Sequence, residues 1–448
     1  MDAPIAANFP DKATFGFELE FLMLFRESGT TAPLEINGQR SQPPRHIPEE
    51  PYGLVKGFHD EHDMHIKRLH YFGGEIAKVL TETGIVTDYR KKGHPKDNEA
   101  LNIEDSEPRL GDFAEFCYST YKQNTIVPEE TMIWTDPGAD GRRMAVRPET
   151  HKGYFWLGFE FVSKTYRYRD FESMKSDLES ICRTLRSNYL VSINAGKDSG
   201  RDSSRCAIHI HWGLSGEEYN LVTIQRLLTF LWIAEDKLMG LHAAWRQDTR
   251  KYAALLQKGT NMATDNISKL PNWVDNPGRG GWVHEMERNV PAGLRESLHR
   301  GRPKIGWLWR AETMEDLARL VGEDTKSRRA SVAITELLPA TSDFPGKARR
   351  SQLNTVEFRH MQGSLHPALI AAWIEATSEI MRRCVESSPR DFTSFLEDVT
   401  ACVSGANDTA HELLGKLGVA PETCSIFKEF DQQRLDEEAD PNISLFLV

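Results

Sequence analysis

The 448-residue chain, with 39% hydrophobic and 27% charged residues, is long enough to bury a large core and has the balance of an ordinary soluble globular protein. Its formal net charge of −11 excludes wholesale attraction to nucleic acid or anionic lipid, and no stretch approaches the roughly 20 apolar residues of a membrane helix. Residues Met1 to Pro10 lack a basic start and an apolar h-region, and the six cysteines form no C-x-x-C pair, so a cytoplasmic protein with reduced packing thiols is expected.

In chain order, the first strand is signalled by Thr14 to Phe25, where apolar and polar residues alternate before a fully apolar run. Residues 28–58, rich in Pro, Gly, Ser and Arg, read as a surface insertion, and a helix follows from about Asp60 to Leu80. After a polar excursion over 91–112 and a turn at Asp136 to Gly141, Trp156 to Val162 forms the next clear strand. Phe171, Met174, Leu178, Ile181 and Leu185 then recur at helical spacing. Strands are expected at Tyr189 to Asn194 and Cys206 to Trp212, and a long apolar helix at Leu221 to Trp245. Residues 259–310, with four tryptophans beside many glycines, read as a loop region able to fold over a pocket. A last strand, Asn354 to His360, precedes a helix opened by Pro367, and the remainder to about Gln433 reads as helical with a break at Gly418 and Pro421.

Side chains alternate along a strand, so Glu18 and Glu20 share one face while Phe17, Leu19 and Phe21 take the other. Paired carboxylates on one strand are either solvated at an edge or held together by a hard divalent ion. His209 and His211 share a face in the same way, as satisfied core histidines or as metal or phosphate contacts. Glu357 and Arg359 do so too, as a plain ion pair or as a metal ligand beside a guanidinium that grips phosphate or carboxylate. Glu160 adds a single carboxylate in an aromatic strand. Each of these strands has an apolar opposite face, so one sheet could direct all the polar groups into one cavity. His59, His62, His65 and His70 lie in a strongly charged helix and read as a solvated face; His242, Arg246 and Arg250 line one face of another.

The ordered set Gly16-x-Glu18-x-Glu20, Glu160 to Ser163, His209-x-His211-x-Gly213 and Thr355 to Arg359 resembles the amidoligase family of the carboxylate–amine ligases, related to glutamine synthetase and glutamate–cysteine ligase. Gly363 to His366 and the helix carrying Trp373 resemble the segment that follows in that family, with His366 where the family has Asp. No single motif is specific; the order is. The resemblance spans roughly residues 14–385, apart from insertions at about 28–58 and 259–310, and leaves 386–448 as a helical C-terminal extension.

The resemblance implies an α+β fold: a curved antiparallel sheet, helices on its convex face and the active site on its concave face. It implies an ATP- and Mg²⁺-dependent enzyme, with Mn²⁺ as a substitute ion, that joins a carboxylate to an amine on an amino acid or peptide. Metal would be held by Glu18, Glu20, Glu160, Glu357 and His211. Nucleotide would be bound by His209, Arg246 and Arg359, and Arg359, Glu357 and His211 would act in catalysis. The competing expectations are a metal-dependent hydrolase built on the His-x-His pair and an inactive binding protein of the same fold.

Overall fold

The computed structural model describes residues 9–31, 35–36, 39–40, 47–57, 61–89, 123–128, 135–137, 143–145, 153–193, 206–242, 253–265, 271, 282–297, 304–322, 330–338, 354–405 and 409–439. They form a mixed α+β fold around a mostly antiparallel sheet that does not close on itself. The sheet's strands are β1 (Ala13–Arg26), β2 (Thr87–Tyr89), β3 (Asn124–Pro128), β4 (Tyr154–Val162), β5 (Tyr166–Arg167), β6 (Val191–Ser192), β7 (Ala207–Leu214), β8 (Val332–Ala333) and β9 (Thr355–Gln362). Their spatial order is β8-β9-β7-β1-β4-β3-β2, with β5 and β6 also pairing with β1. Only β2 and β3 run parallel among these pairs.

The first strand is central, and its sequence explains why. Phe15, Phe17, Leu19, Phe21, Met23 and Phe25 point to one side and enter the main core, whereas Glu18 and Glu20 point to the other and stay half-buried. The alternation ends at Leu22, because Leu22 and Leu24 on the polar side pack with Tyr154, Trp156 and Cys206 in a second, smaller apolar cluster. Both faces are therefore covered at this end of β1, as the unbroken apolar run requires.

The long helices are α1 (Glu61–Glu82), α2 (Phe171–Asn188), α3 (Leu221–Leu238), α4 (Pro367–Glu386), α5 (Pro389–Ser404), α6 (Ala410–Leu417) and α7 (Pro421–Ala439). Leu178 of α2, Leu227 of α3 and Trp373 of α4 share the main core with the apolar side of β1, β4, β7 and β9. Helix α3 starts at Asn220, whose side chain accepts a hydrogen bond from Thr223 N at 2.8 Å. Helix α4 starts at His366, whose Nδ1 accepts from Leu369 N at 3.3 Å, so this histidine serves as an N-cap. The C-terminal helices share this core: Phe230 of α3 stacks on Phe395 of α5, and Phe427 of α7 is buried.

Several expectations change. Region 259–310, expected as loop, is helical at Trp282–Asn289, Ala292–Ser297 and Lys304–Arg310. These helices are not a loose cover where they are described. Trp307 and Trp309 lie in the main core, Trp309 Nε1 donates to Thr229 Oγ1, and Gln225 Nε2 donates to the Leu308, Trp309 and Ala311 carbonyls. Trp309, expected in a loop, is an anchor on α3. The strand expected over Tyr189 to Asn194 is ladder-paired only at Val191–Ser192. The helix expected to reach Trp245 turns to a 3-10 form at Met239–Leu241. Strands β2 and β3 and the helix Met314–Val321 were not anticipated. Among the insertion residues, Glu49 pairs with Arg26 and Glu50 with Arg68, which ties 47–57 to the end of β1. His59, Gly278, Gly280, Gly281, Arg246 and Arg250 lie outside the described residues, as does the side chain of His62. His70 pairs with the Tyr89 hydroxyl.

Candidate active site

Strand register brings the polar residues together. Glu20 on β1 stands opposite Glu160 on β4, and Glu18 opposite His209 on β7. His211 stands opposite Gly16 on one side and Glu357 on the other. Gly16 places no side chain beside the ring. Between β7 and β9 the register slips, from Ile210 opposite Phe358 to Ile208 opposite Met361, so Arg359 and His360 together face His209. This bulge lets Glu357 and Arg359 share the polar face while Phe358 and Met361 enter the core.

The result is one cluster of four carboxylates, two imidazoles and a guanidinium. Glu357 is 1% exposed, His209 3%, and Glu160 and His211 9% each. His209 Nδ1 lies 2.9 Å from Glu18 Oε2 and 3.6 Å from Glu357 Oε1. Arg359 donates to Glu357, and its Nη1 is 3.5 Å from His209 Nδ1. Glu20 Oε2 accepts from Ala207 N at 2.7 Å. His211 Nε2 is 3.3 Å from Glu18 Oε1, and its Nδ1 is 3.2 Å from Thr355 Oγ1.

Electrostatics divide the two histidines. Burial, and after it the Arg359 guanidinium, push His209 down to about 4 against the pull of Glu18 and Glu357, so its ring is neutral near pH 7. Burial also opposes charge on His211, but Glu18 and Glu357 outweigh it and raise that ring above the ordinary value, with Glu336 contributing. Burial resists ionisation of Glu18 as well, yet the His211 charge and the His209 and His211 hydrogen bonds hold it well below the usual carboxylate range.

An ionised Glu18 can only accept, so His209 must donate to it from Nδ1. A neutral ring then presents a bare lone pair at Nε2. That atom makes no hydrogen bond, and Glu20 Oε1 lies 3.9 Å away. Glu20, Glu160 and His209 thus bring three acceptor atoms within 4.8 Å of one another. Glu18, Glu357 and His209 form a second group of that size. In the Glu18 group the His209 Nδ1–H and Arg359 already donate to the carboxylates, whereas in the Glu20 group converging acceptors repel unless a cation sits among them, and oxygen donors with one imidazole suit a hard or borderline divalent ion. The residues present therefore fit a metal.

The structure brings together Glu18, Glu20, Glu160, His209, His211, Glu357 and Arg359, and His209 rather than His211 belongs to both clusters. His242, on the face expected to carry Arg246 and Arg250, is buried edge-on against Trp373 at 4.5 Å. Sequence reasoning missed Thr355 as a partner of His211, although it opens the strand motif, and Glu336, which sits in a short 3-10 turn with no periodic signal. No family model matches the chain, and a search of curated proteins finds no significant match. Among the described residues no helix is long and apolar enough to cross a membrane.

Proposed function

We propose that the protein is an ATP- and Mg²⁺-dependent carboxylate–amine ligase, with Mn²⁺ as a substitute ion, acting on a small-molecule or peptide acid and amine. The observation that carries this reading is the bare Nε2 of neutral His209 facing Glu20, beside Glu160, on a buried sheet face that also holds Arg359. On this reading the sheet is curved, its helices cover the convex side, and residues 14–385 form the catalytic unit with 386–448 as an extension.

Glu20, Glu160 and His209 would hold one divalent ion, and Glu18 and Glu357 a second, with His211 at its margin. The ions supply charge neutralisation for the phosphates of ATP. Arg359, which donates to Glu357 on the same polar face, has a planar fork that suits the oxygens of a phosphoryl group in transfer. The acid attacks the γ-phosphorus, the bond to the β-phosphate oxygen breaks, and ADP leaves. The amine nitrogen would then attack the acyl phosphate carbon, phosphate would depart, and a carboxylate near the amine site would take the amine proton. Burial of Glu357 and His209 would limit the water that competes for the activated acid.

The test is ADP release by purified full-length protein with Mg²⁺ and panels of acids and amines. Release that needs both substrates and yields an amide supports the ligase. Hydrolysis of an amide or ester without ADP would favour a metal-dependent hydrolase, and ATP binding without turnover an inactive scaffold.

A further inference from the structure

On the helix side of β9, behind the candidate site, lies a second buried polar group that the proposed chemistry does not use. Glu235 near the end of α3 is 2% exposed, and His360 and Ser331 are fully buried. The Glu235 carboxylate accepts from His360 Nε2 at 2.9 Å, from the Ser331 hydroxyl, and from Leu256 N at 2.5 Å. Ser331 in turn ties the segments together through its backbone: its N–H donates to Ala254 O at 3.0 Å, and its carbonyl accepts from Arg359 N at 2.7 Å. One carboxylate thus fixes the 254–256 segment, the start of β8 and the bulge of β9.

Ser, His and Glu are also the residue types of a nucleophilic triad, but here the carboxylate is the hub, bonding both the hydroxyl and the imidazole, and burial denies substrate any access. Their place on the bulge gives a different role. Along β9, Glu357 and Arg359 face the polar side, Phe358 and Met361 the core, and His360, the extra residue, also turns to the core. A bulge that moved by one residue would exchange the faces of its neighbours. The hydrogen bond from the buried imidazole to Glu235 pins the bulge at His360.

We propose that the Glu235–His360 pair is a positioning element that holds the β9 bulge from the helix side and so aims Glu357 and Arg359 into the polar face. It deepens the proposed function, but its test separates from that reading. Hydrogen exchange of full-length protein, followed by mass spectrometry, is compared for wild type, His360→Leu, His360→Gln, Glu235→Gln and the core variant Val399→Ala, each at the same interval below its melting temperature. His360→Leu should speed exchange over 354–362 by about tenfold or more, leaving 13–26 unchanged. His360→Gln, which still donates at similar reach, should restore most protection, and Val399→Ala should not reproduce the effect. Should His360→Leu fail to fold, the near-isosteric Glu235→Gln carries the same comparison. In parallel, Mn²⁺ titration should give roughly tenfold weaker binding in the variants that loosen β9, the size usual for groups that orient a ligand. Unchanged exchange over 354–362, or an equal rise in Val399→Ala, overturns the proposal. A wild type that holds no Mn²⁺ overturns the metal reading, and the exchange comparison then decides the role of the pair alone.

Discussion

Glu20 and Glu160 stand directly opposite each other across the antiparallel β1–β4 pair, two carboxylates where a ladder normally sets apolar or oppositely charged partners. Ionised side by side the two carboxylates repel each other, and on the proposed reading a divalent ion would turn the same geometry into a binding site.

Glu160→Gln should therefore act with opposite signs in two measurements. Denaturant unfolding without metal should show a gain of about 0.2–1 kcal/mol, the size of one cross-strand charge contact. Calorimetric titration with Mn²⁺ should show binding weaker by about tenfold or more. A variant that lost stability and kept wild-type affinity would mean that Glu160 is a structural residue.

Arg359→Lys keeps the charge and loses the planar fork, so it should strike the chemical step, with turnover falling on the order of 100-fold. Glu357→Gln should be similarly damaging but partly recovered at raised Mg²⁺ or Mn²⁺, because mass action refills a weakened ligand set. Steady-state ADP release across a metal titration checks both. If Arg359 and Glu357 were only an ion pair, both variants would melt early and keep near-normal turnover per folded molecule.

His366 offers a pH test away from the cluster. Partial burial and the nearby Arg186 charge lower its pKa, so the folded state prefers the neutral ring whose Nδ1 caps α4. A depressed pKa gives stability that is present above the unfolded value, about 6.5, and is lost as pH falls through the folded one. His366→Asp, a strong N-cap whose charge also suits a helix start, should flatten that decline below about pH 6.5 and gain about 0.5–1 kcal/mol. Urea unfolding at two pH values reads it directly.

Gly363 is fixed by contact. A Cβ there would lie 2.6 Å from Cys206 Cβ and 3.1 Å from its carbonyl group, and Gly363 N donates to Cys206 O at 2.7 Å. Gly363→Ala should lower stability by about 1–3 kcal/mol, as overpacking does. Cys206→Gly should restore part of the loss, which a double-mutant cycle would record as coupling. Independent effects would place the strain elsewhere.

The strands that carry the site were readable because each one alternates: Glu18 and Glu20 against Phe17 and Phe21, and His209 and His211 against Ile210 and Trp212. Period two is a local property, so the shared faces follow from short stretches of chain. What joins the strands is not local. Nothing in the His-x-His segment says that His209 will stand between Glu18 and Glu20 and Arg359, because that depends on register across 191 residues of separation and on a bulge. His360, read simply as the end of a strand, proved to be that bulge's inward residue. Strands β2 and β3 are too short for their alternation to register. The helix at Met314–Val321 did carry a sign, Thr313 three residues before Asp316 in a reciprocal capping box. Trp307 and Trp309 were misjudged because glycine-rich surroundings suggest loop, whereas burial against the main core is a tertiary choice.

The central place of β1 also bears on how the chain is made. It leaves the ribosome well before its lateral partners β4 and β7, which follow roughly 140 and 190 residues later, as the pairing of Glu18 with Val162 and His209 records. At about 5–20 residues per second, β1 waits on the order of ten seconds or more with both edges open. A long apolar strand with unpaired edges is a template for wrong pairing. The two glutamates that the finished fold spends on its site spend that interval as gatekeepers, charges that interrupt an otherwise aggregation-prone run. Synthesis in the absence of chaperones is where removing both charges at once would first be felt, as precipitation of the nascent chain before any site exists to lose.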